Sequence, residues 1–564
     1  MRLQPIYELA DVCAQWGIRE VVICPGSRSA PLTLAFVRHG AFRTRIFPDE
    51  RSAAYIALGM ARSTHKPVVL ICTSGTAALN FAPAVSEAFF QQVPLLVLTA
   101  DRPAEWTAQQ DGQTIYQESL YGRNVKKSFT LPADYTHPDS NWMINRTINE
   151  ALALTTELPQ GPVHINVPLR EPLYPAAGET FQTSARVRIQ KHISPDYQLA
   201  ESQLTALRHK LGDFGRILVV AGQHAMDRTL REAVARFVEE SKAVLVGDIL
   251  SNLHAIPENI RLADNFLPFA TDAQKKALQP DLLVTFGQSI ISKQVKLFLR
   301  QHPARAHWHI QEAGPVADPY QSVDTIIRCA PSFFFQCLTG NGRTDFSEAW
   351  RDRESRTQSA IASFLARGTR HELGVVHDTL ASLPAGTHLH LANSMVVRYA
   401  NFMGLSPHQA EVEVFSNRGT SGIDGCTSSA MGHALTSDNP QVLMTGDMAF
   451  LYDRNAFWHN YNYPTLKSLV LNNHGGIIFN MIDGPGSVPE AQEYFVTRQH
   501  QSARTVAEEY GHVYHHATES SYQKELVTRL LQEQTKPAVL EFESSQEWNV
   551  KVFQEFKKEI QSKL

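Results

Sequence analysis

The sequence predicts an α/β protein made of three doubly wound domains, each with a parallel sheet. Short, continuous apolar runs alternate with helical patterns along most of the chain, as buried parallel strands alternate with their connecting helices. The 564 residues also divide into three blocks of similar size and pattern. We therefore predict domains at residues 1–185, 186–360 and 361–564.

The first block contains the clearest alternation. Buried parallel strands are predicted at Val21–Cys24, Val68–Cys72 and Leu95–Thr99, because these runs are apolar throughout rather than at every second residue. Helices are predicted at Ser52–Arg62 and Ala77–Phe90. Strands that alternate with helices indicate βαβ units, whose strands run parallel.

The second and third blocks follow the same plan. The segment Tyr174–Arg188, which has few large apolar residues, is predicted to be a linker, and a charged helix is predicted at Phe346–Leu365. In the second block we predict a helix at Thr229–Glu240 and strands at Arg216–Ala221, Ala243–Gly247, Asp281–Phe286 and Ala306–Ile310. In the third block we predict a surface helix at Lys551–Leu564 and strands at Gln441–Thr445, Lys467–Leu471 and Ala538–Phe542.

The composition is that of an ordinary globular protein. Apolar residues make up 43% of the chain, and 52 basic against 56 acidic residues give a formal net charge of −4. No overall basic bias favours a nucleic acid as partner. The six cysteines include no C-x-x-C pair, which predicts free buried thiols in a reducing compartment and argues against a zinc site.

The N-terminus and the apolar runs bear on the location of the protein. The segment Met1–Glu8 lacks the apolar core and small-residue cleavage site of a signal peptide. No apolar run approaches the ~20 residues that a membrane-spanning helix needs. We therefore expect a cytoplasmic protein without stable membrane insertion.

Two stretches far apart in the sequence carry the pattern of one metal–diphosphate site. Gly446 and Asp447 directly follow one predicted strand of the third block, and Asn473 and Gly475 directly follow the next. Neighbouring parallel strands present such residues at their carboxyl ends, where open α/β sheets bind ligands. We predict that Asp447, Asn473 and the carbonyl of Gly475 bind Mg²⁺ together with phosphate oxygens. Taken singly, each stretch also fits a helix cap or a turn.

A glutamate in the first block is the second candidate. Glu50 lies in Phe47–Ser52, where a predicted strand ends and a helix begins. A helix N-terminus stabilises an anion through its dipole, and for an isolated glutamate that explanation is sufficient. A functional role for Glu50 therefore depends on its combination with the metal pattern.

The early glutamate and the later Gly-Asp and Asn-Asn stretches together resemble the thiamine-diphosphate-dependent decarboxylase-like superfamily. The resemblance implies that all three domains have the fold of that superfamily. It also implies that Glu50 is the catalytic residue and hydrogen-bonds the aminopyrimidine ring of thiamine diphosphate, while Mg²⁺ or Mn²⁺ holds the diphosphate. In such enzymes the cofactor carries the carbanion chemistry, and the protein supplies tautomer control, shape and electrostatics.

Longer motifs are similar to one family within that superfamily. They are Cys24–Thr33, Thr73–Ala77 and Leu98–Pro103 in the first block, and Ser416–Gly425 and Gly446–Asn455 in the third. This family belongs to menaquinone biosynthesis. The resemblance, which covers nearly the whole chain, implies a transferase that decarboxylates 2-oxoglutarate and adds the succinyl carbanion equivalent to isochorismate in a conjugate addition.

The residues assigned to substrate binding match the charge of the two substrates. Both are dicarboxylates, and arginine stays ionised and can bind a carboxylate with two hydrogen bonds. By resemblance, isochorismate is bound by Ser27, Arg28, Arg102, Gln113 and Lys293. By resemblance, 2-oxoglutarate is bound by Ser394, Arg398 and Arg418, in a region also lined by Asn393. For any single arginine, an ordinary salt bridge is the alternative interpretation.

Further residues are assigned to the cofactor by the same resemblance. Ile423 is expected to wedge beneath thiamine diphosphate and hold it bent. Ile478 and Phe479 are expected to form apolar walls of the cavity, and Gly446 belongs to the cofactor site with Asp447.

Two positions depart from the related sequences. Met448 follows the metal-binding aspartate where many superfamily members carry glycine, which fits the narrower family. Gln294 follows Lys293 where an arginine is expected, so one cationic contact to a carboxylate is predicted to be lost.

Two alternatives stay open at the level of the sequence. One is another enzyme of this cofactor class, such as a 2-oxoacid decarboxylase or an acetohydroxyacid-synthase-like enzyme, although the first block lacks the His-His pair of the decarboxylases. The other is a non-catalytic diphosphate-binding protein that kept the fold, since fold alone never proves activity. The resemblance also implies a homodimer or tetramer with active sites at the subunit interface.

Overall fold

A computed structural model describes residues 3–176, 186–482 and 484–564, together with residues 178, 180, 182 and 184. Its strands form three six-stranded sheets, one in each predicted block. The strand pairs with an assigned register are parallel, for example β1 with β3 at Val21–Ile23 and Val69–Ile71. The predicted α/β class with three parallel sheets is therefore confirmed.

The first sheet has the strand order β2-β1-β3-β4-β6-β5. Its strands are β1 Glu20–Ile23, β2 Arg43–Ile46, β3 Val68–Cys72, β4 Leu95–Asp101, β5 Ser128–Thr130 and β6 Val163–Pro168. The helices of this block are α1 Gln4–Gln15, α2 Ala30–His39, α3 Glu50–Thr64, α4 Thr76–Asn80, α5 Ala82–Phe90 and α6 Pro138–Thr156. The helix predicted at Ala77–Phe90 is divided at Phe81, because Pro83 cannot donate the backbone hydrogen bond of a helix interior.

The second sheet has the order β12-β11-β10-β7-β8-β9. Its strands are β7 Ile217–Ala221, β8 Val244–Gly247, β9 Asn259–Ile260, β10 Leu282–Phe286, β11 Ala306–Ile310 and β12 Thr325–Ile327. The helices are α7 Glu201–Leu211, α8 Arg228–Ser241, α9 Ala263–Phe266, α10 Asp272–Leu278, α11 Lys293–Gln301, α12 Pro331–Cys337 and α13 Thr344–Leu365.

The third sheet has the order β14-β13-β15-β16-β18-β17. Its strands are β13 His388–Leu391, β14 Glu413–Phe415, β15 Gln441–Gly446, β16 Leu466–Asn472, β17 Val513–Thr518 and β18 Ala538–Glu543. The helices are α14 Glu372–Ser382, α15 Met395–Met403, α16 Cys426–Ala434, α17 Asp447–Tyr452, α18 Ile478–Met481, α19 Ala503–Glu509, α20 Glu525–Gln532 and α21 Gln546–Lys563. Because β15 and β16 are neighbours, the residues that follow them emerge at the same sheet edge.

The C-terminal helix α21 is a surface helix, as the sequence predicts, and eight of the residues 551–564 are exposed. Val552, Phe553, Phe556 and Ile560 on its other face are buried and belong to the apolar core of the third block. Their spacing gives the helix the one apolar face that is typical of a surface helix. The prediction for this tail is therefore confirmed, and the structure adds the core that the apolar face covers.

The chain divides into two compact units. Unit 1 comprises Met1–Ser194, Asn417–Asp438 and Ala449–Leu466. Unit 2 comprises Pro195–Ser416, Asn439–Met448 and Lys467–Leu564. Unit 1 thus holds the first sheet together with α16, and unit 2 holds the second and third sheets. The three predicted domain boundaries stay predictions.

Burial in the sheets accounts for the apolar runs of the sequence. The strands β1, β3 and β4 are buried over their whole length, as expected of parallel strands covered by helices on both faces. All six cysteines are free, and five of them are buried. In the part of the chain that the structure describes, no helix is both long and apolar enough to cross a bilayer.

The predicted linker Tyr174–Arg188 is only partly described. Its residues 177, 179, 181, 183 and 185 lie outside the described residues, and the described ones belong to no helix or strand.

Candidate active site

The predicted metal ligands lie together at one edge of the third sheet, in unit 2. Asp447 begins α17 directly after β15, and Asn473 follows the end of β16. The carboxylate of Asp447 accepts a hydrogen bond from the backbone of Gly475. We call Asp447, Asn473 and Gly475 the metal loop cluster.

Asp447 is held as a buried carboxyl group. Its exposed fraction is 3%, and the burial raises its pKa to about 6. Hydrogen bonds oppose this shift, chiefly one from Gln499, whose Nε2 lies 2.7 Å from Asp447 Oδ2. A divalent cation beside Asp447 would stabilise the charged carboxylate, which burial disfavours.

The side-chain amide of Asn473 is hydrogen-bonded through its nitrogen but not through its oxygen. Its Nδ2 donates to Glu372 Oε1 at 2.7 Å. Its Oδ1 is buried and has no hydrogen-bond partner among the described residues. Buried amide oxygens are rarely left without a partner, so this atom has the character expected of a metal ligand.

Glycine is required at position 475. Gly475 has a φ of 151°, and a Cβ there would lie 2.8 Å from the carbonyl oxygen of Val496. The next amide, that of Gly476, donates to the same carbonyl at 2.7 Å. The loop after β16 is therefore packed closely against the Val496 backbone, and its path depends on glycine.

The predicted catalytic Glu50 is the first residue of α3, in unit 1. Asp49 caps this helix by accepting the Ser52 amide at 3.1 Å, and also accepts from Asn455 Nδ2 at 2.6 Å. Glu50 itself is only half-buried, and its Oε2 accepts from Asn80 Nδ2 at 3.3 Å. The helix start is thus firmly held, whereas the carboxylate is loosely held.

Glu50 faces a cavity of about 510 Å³, which we call the Glu50 cavity. Its lining includes Gly26, Thr73, Gly75 and Gln113. A Cβ at Gly26 would lie 2.2 Å from the Cβ of Thr73. The wall of the cavity therefore has no room for a side chain at position 26, where glycine lets the backbone lie against the Thr73 side chain.

Two predicted substrate arginines lie beside this cavity. Arg102 pairs with Asp111, and its Nη1 lies 3.2 Å from Ser74 Oγ and 3.5 Å from the Gln113 carbonyl. Burial lowers the pKa of Arg28, and the nearby positive charge of Arg102 lowers it further. Such a pair of neighbouring cations favours an anion as ligand. The structure therefore brings together Arg28, Arg102 and Gln113.

Ser27 lies at the exposed rim of the same region. Its hydroxyl is 3.4 Å from that of Tyr174. The neighbouring Arg28 donates to the Leu169 carbonyl at 3.1 Å.

The glycine-rich loop that holds Arg418 and Ile423 also belongs to unit 1. Glu87 of α5 accepts from the amide of Gly419 at 2.7 Å and from the amide and hydroxyl of Thr420 at 2.6 Å each. Further along the loop, Asp424 Oδ2 accepts from the Tyr55 hydroxyl at 3.0 Å. Arg418 and Ile423 are both half-buried between these anchors.

The remaining predicted substrate residues lie in unit 2. Ser394 precedes α15 with a φ of 73°, and Arg398 donates from Nη1 to the Ser394 carbonyl at 2.5 Å. Asn393, just before them, is buried. Lys293 is an exposed residue at the start of α11.

Asp264 is the acidic group of this region. It accepts from the Gln294 amide at 2.9 Å and from Ser292 Oγ at 2.6 Å. Burial raises its pKa, and the positive charge of Arg398 opposes that shift. Arg398 and the start of α11 therefore both lie near Asp264. Lys293 and Arg398, which were predicted to bind different substrates, belong to the same region of unit 2.

The apolar cofactor residues lie on the short helix α18. Ile478 is half-buried against the core of the third block. Phe479 is also half-buried, and its ring centroid is 5.9 Å from that of Phe495. Gly446, the last residue of β15, has open space where a Cβ would lie, with Leu471 O nearest at 4.0 Å.

Three residues at these sites were not found from the sequence. They are Glu87, Glu372 and Gln499, which hold the glycine-rich loop, Asn473 and Asp447 respectively. Glu87 is a charged residue within an otherwise apolar helical stretch, which is a local signal of a buried acid with a partner elsewhere. Glu372 follows Arg370 and His371 at the start of α14 and gives no such signal.

Comparison with known families defines the class of the protein. The chain matches the family described as thiamine pyrophosphate enzyme, N-terminal TPP binding domain, over residues 8–120. It matches the family described as middle domain of thiamine pyrophosphate over residues 179–391. Together with the three parallel sheets, these matches define a thiamine-pyrophosphate-dependent enzyme.

Full-length relatives narrow this class. A protein of Cytophaga hutchinsonii is 42% identical over 562 residues, which cover 99% of both chains. One of Phocaeicola vulgatus is 34% identical over 558 residues, covering 98% of this chain and 97% of its own, and one of Desulfotalea psychrophila is 35% identical over 514 residues, covering 91% and 93%. All three are named 2-succinyl-5-enolpyruvyl-6-hydroxy-3-cyclohexene-1-carboxylate synthase, and the chain belongs to this family.

Proposed function

We propose that the protein decarboxylates 2-oxoglutarate and joins the remaining four-carbon unit to isochorismate, giving 2-succinyl-5-enolpyruvyl-6-hydroxy-3-cyclohexene-1-carboxylate for menaquinone biosynthesis. The observation that carries the proposal is full-length similarity to synthases of this name in a chain that keeps Glu50, Asp447 and Asn473. The other decarboxylase-like activities considered above are not favoured, since the relatives share one name.

The metal loop cluster fits a hard divalent cation. It offers the Asp447 carboxylate, the unpartnered Asn473 Oδ1 and the carbonyl of Gly475, and oxygen ligands of this kind suit Mg²⁺ or Mn²⁺. These three residues, with Gly446, would hold the metal and the diphosphate. When bound, thiamine diphosphate supplies the carbon nucleophile and the electron sink that decarboxylation needs.

The chain itself contributes proton control through Glu50. Its carboxylate belongs to the first residue of α3 and lies at the N-terminus of that helix. We propose that it hydrogen-bonds the aminopyrimidine of the cofactor and exchanges a proton with that ring. The loose contact with Asn80 leaves the carboxylate able to take this partner.

Cationic residues would hold the carboxylates of the two substrates. We propose that Arg28 and Arg102, with Ser27 and Gln113, bind isochorismate at the Glu50 cavity. Lys293 is proposed to join them, with Gln294 supplying no second cation. For 2-oxoglutarate we propose Asn393, Ser394, Arg398 and Arg418. Ile423, Ile478 and Phe479 are proposed as the apolar walls that exclude water and hold the cofactor bent.

An assay with both substrates tests the proposed activity. The purified protein is incubated with Mg²⁺, thiamine diphosphate and 2-oxoglutarate, with or without isochorismate, and CO₂ release and product are measured. We expect CO₂ release to depend on isochorismate and to be matched by the succinylated product. Rapid CO₂ release from 2-oxoglutarate alone would instead indicate a simple decarboxylase, and cofactor binding without turnover of any 2-oxoacid would indicate a non-catalytic relative.

We further propose a homodimer or a tetramer in which Glu50 of one subunit serves the metal loop cluster of another. Large exposed apolar side chains on unit 1 support an interface, namely Ile46, Phe90, Tyr452 and Trp458. If sites are shared, mixing inactive E50Q and D447N proteins under exchange conditions should restore roughly a quarter of the wild-type activity, because half of the sites in mixed dimers contain neither change. Mixtures that stay inactive despite subunit exchange would contradict shared sites.

A cytoplasmic location is proposed from the cysteines. All six are free, and free thiols are typical of proteins in reducing compartments.

A further inference from the structure

We propose that Glu372 is the positioning residue for Asn473, accepting its amide hydrogen and so turning the amide oxygen toward the metal. The inference rests on the proposed function, because that function makes Asn473 a metal ligand. Asn473 Nδ2 donates to Glu372 Oε1 at 2.7 Å. The exposed fractions are 1% for Glu372 and 5% for Asn473, so water does not compete for this contact.

The chemistry of the pair fixes the direction of the amide. In its ionised form the Glu372 carboxylate can only accept hydrogen bonds, and the NH₂ group is the one donor of an asparagine side chain. Rotating the Asn473 amide by half a turn would bring its oxygen against Glu372 Oε1 and leave two buried acceptors facing each other. With Nδ2 on Glu372, Oδ1 points the other way, and this atom lacks a partner among the described residues.

Glu372 is itself held in place. It is the first residue of α14, and His371 caps that helix by accepting the Gly374 amide on Nδ1 at 2.9 Å. The Glu372 amide donates to Asn549 Oδ1 at 3.4 Å, and the Tyr399 hydroxyl lies close enough to the Glu372 carboxyl group to oppose the rise in its pKa that burial causes. Because Glu372 is held in place, its carboxylate can determine the orientation of the Asn473 amide. A mobile side chain would instead adjust to whichever orientation the amide adopts.

Removing the acceptor character of Glu372 tests the inference. In E372Q the new amide can donate or accept, so Asn473 can bind it in either orientation. Partners that orient metal ligands typically contribute roughly 10-fold to 100-fold to metal affinity. We expect Mg²⁺, titrated by calorimetry into protein with saturating thiamine diphosphate, to bind E372Q weaker by about that factor. Circular dichroism and the melting temperature of the metal-free protein should show a folded variant.

Glu354 provides a matched control. It is also a buried glutamate of unit 2, with an exposed fraction of 6%. Its carboxylate accepts from the amides of Arg261 at 3.3 Å and Leu262 at 3.1 Å, not from a metal ligand. E354Q should leave the Mg²⁺ affinity unchanged. Equal weakening by E354Q would mean that any buried charge change in this unit affects the metal, and would overturn the specific role of Glu372.

A double-mutant comparison shows whether Glu372 acts through Asn473. N473S keeps an oxygen but loses the NH₂ group, and its weaker binding can be followed with Mn²⁺ by electron paramagnetic resonance. If Glu372 acts through that group, adding E372Q to N473S should cause no further loss, since the two effects are not additive. The same loss in both backgrounds would overturn the inference.

A second variant covers the case in which E372Q does not fold. E372D keeps the charge but shortens the side chain by one methylene, so it loses the 2.7 Å contact with Asn473 and should also bind Mg²⁺ weakly. Wild-type affinity in either folded variant would overturn the role of Glu372 alone. A wild-type protein that binds no thiamine diphosphate in the presence of Mg²⁺ would instead overturn the proposed function on which the role rests.

Discussion

The metal loop cluster and the Glu50 cavity differ in how far the protein fixes their key groups in advance. Asp447 and Asn473 are buried and each has a close protein partner, Gln499 and Glu372, at 2.7 Å. Glu50 is half-buried, and its carboxylate accepts a long hydrogen bond from Asn80 at 3.3 Å. A metal needs several oxygens in one fixed geometry, whereas a proton-exchanging carboxylate has to take a new partner when the cofactor arrives.

This difference predicts two kinds of variant. Changes in the metal loop cluster should alter cofactor affinity, because the loop is proposed to form part of the cofactor-binding site. Changes at Glu50 should alter turnover while leaving folding and binding largely intact. D447N and E50Q test that division when cofactor binding and turnover are measured separately for each variant.

The largest effect is expected for D447N. The change removes the charge of Asp447, which we propose as a metal ligand, and a loss of several kcal/mol of binding free energy corresponds to roughly 10³-fold weaker binding. We expect Mg²⁺ no longer to strengthen the binding of thiamine diphosphate to D447N. Turnover should fall by at least roughly 10³-fold. Calorimetry and the two-substrate assay measure the two quantities. Retained Mg²⁺-dependent binding would show that Asp447 is not a ligand.

E50Q should reduce turnover without a matching loss of binding. Proton transfer by a positioned side chain contributes typically about 10²-fold to 10⁴-fold, so we expect kcat to fall in that range. The exposed contact of Glu50 with Asn80 is weak, and the melting temperature should stay close to that of the wild type. N80A serves as the control, with nearly unchanged kcat. A loss of cofactor affinity as large as the loss of kcat would break the division between the two regions.

The sequence was most informative about features that depend only on residues close together in the chain. Glycine at 475 and polar residues directly after two apolar strands are visible in the sequence, and the structure places Asp447 and Asn473 at one sheet edge. Ten of the eighteen strands in the described residues were also predicted, because parallel strands buried on both faces need continuous apolar runs. Most predicted strand bounds agree with the structure to within one or two residues.

The supporting contacts were not predictable from one sequence. Glu372 and Asn473 are 101 residues apart, and Glu87 is 332 residues from Gly419. No local pattern reports such a pairing, because it arises when separate elements pack together. The core that the apolar face of α21 covers was not predictable for a related reason, since it lies on elements far away in the sequence.

G475A should affect stability and binding together. An alanine at the φ of Gly475 is strained by about 1–3 kcal/mol, and its Cβ would also approach the Val496 carbonyl. Relieving the strain would displace the loop, so we expect a lower melting temperature and thiamine diphosphate affinity weaker by roughly 10-fold to 100-fold. G112A is the control, because a Cβ at Gly112 meets nothing within 4 Å. Equal effects of the two variants would show that the loop tolerates displacement.

The smallest effect concerns Asp453, a buried carboxyl group that is hydrogen-bonded to α16 and pairs with Arg51, the residue after Glu50. It accepts from the amide and hydroxyl of Ser428 at 2.6 and 2.7 Å, and lies 3.6 Å from Arg51. Burial raises its pKa to about 7, above the ~3.9 of an unfolded chain. The native state therefore holds a proton that the unfolded state has lost between these values, and this contribution to stability disappears as pH rises toward 7.

D453N should remove that pH dependence. From pH 5 to 7, the stability of the wild type relative to D453N should fall by up to about 1.4 kcal/mol per pH unit, measured as the difference between their thermal transitions. D438N, at an exposed aspartate of the same unit, should run parallel to the wild type. A pH-independent difference would show that Asp453 stays ionised when buried, with Arg51 compensating its charge. In that case unit 1 would hold a buried carboxylate by ion pairing, whereas the metal loop cluster is proposed to do so with a cation taken from solution.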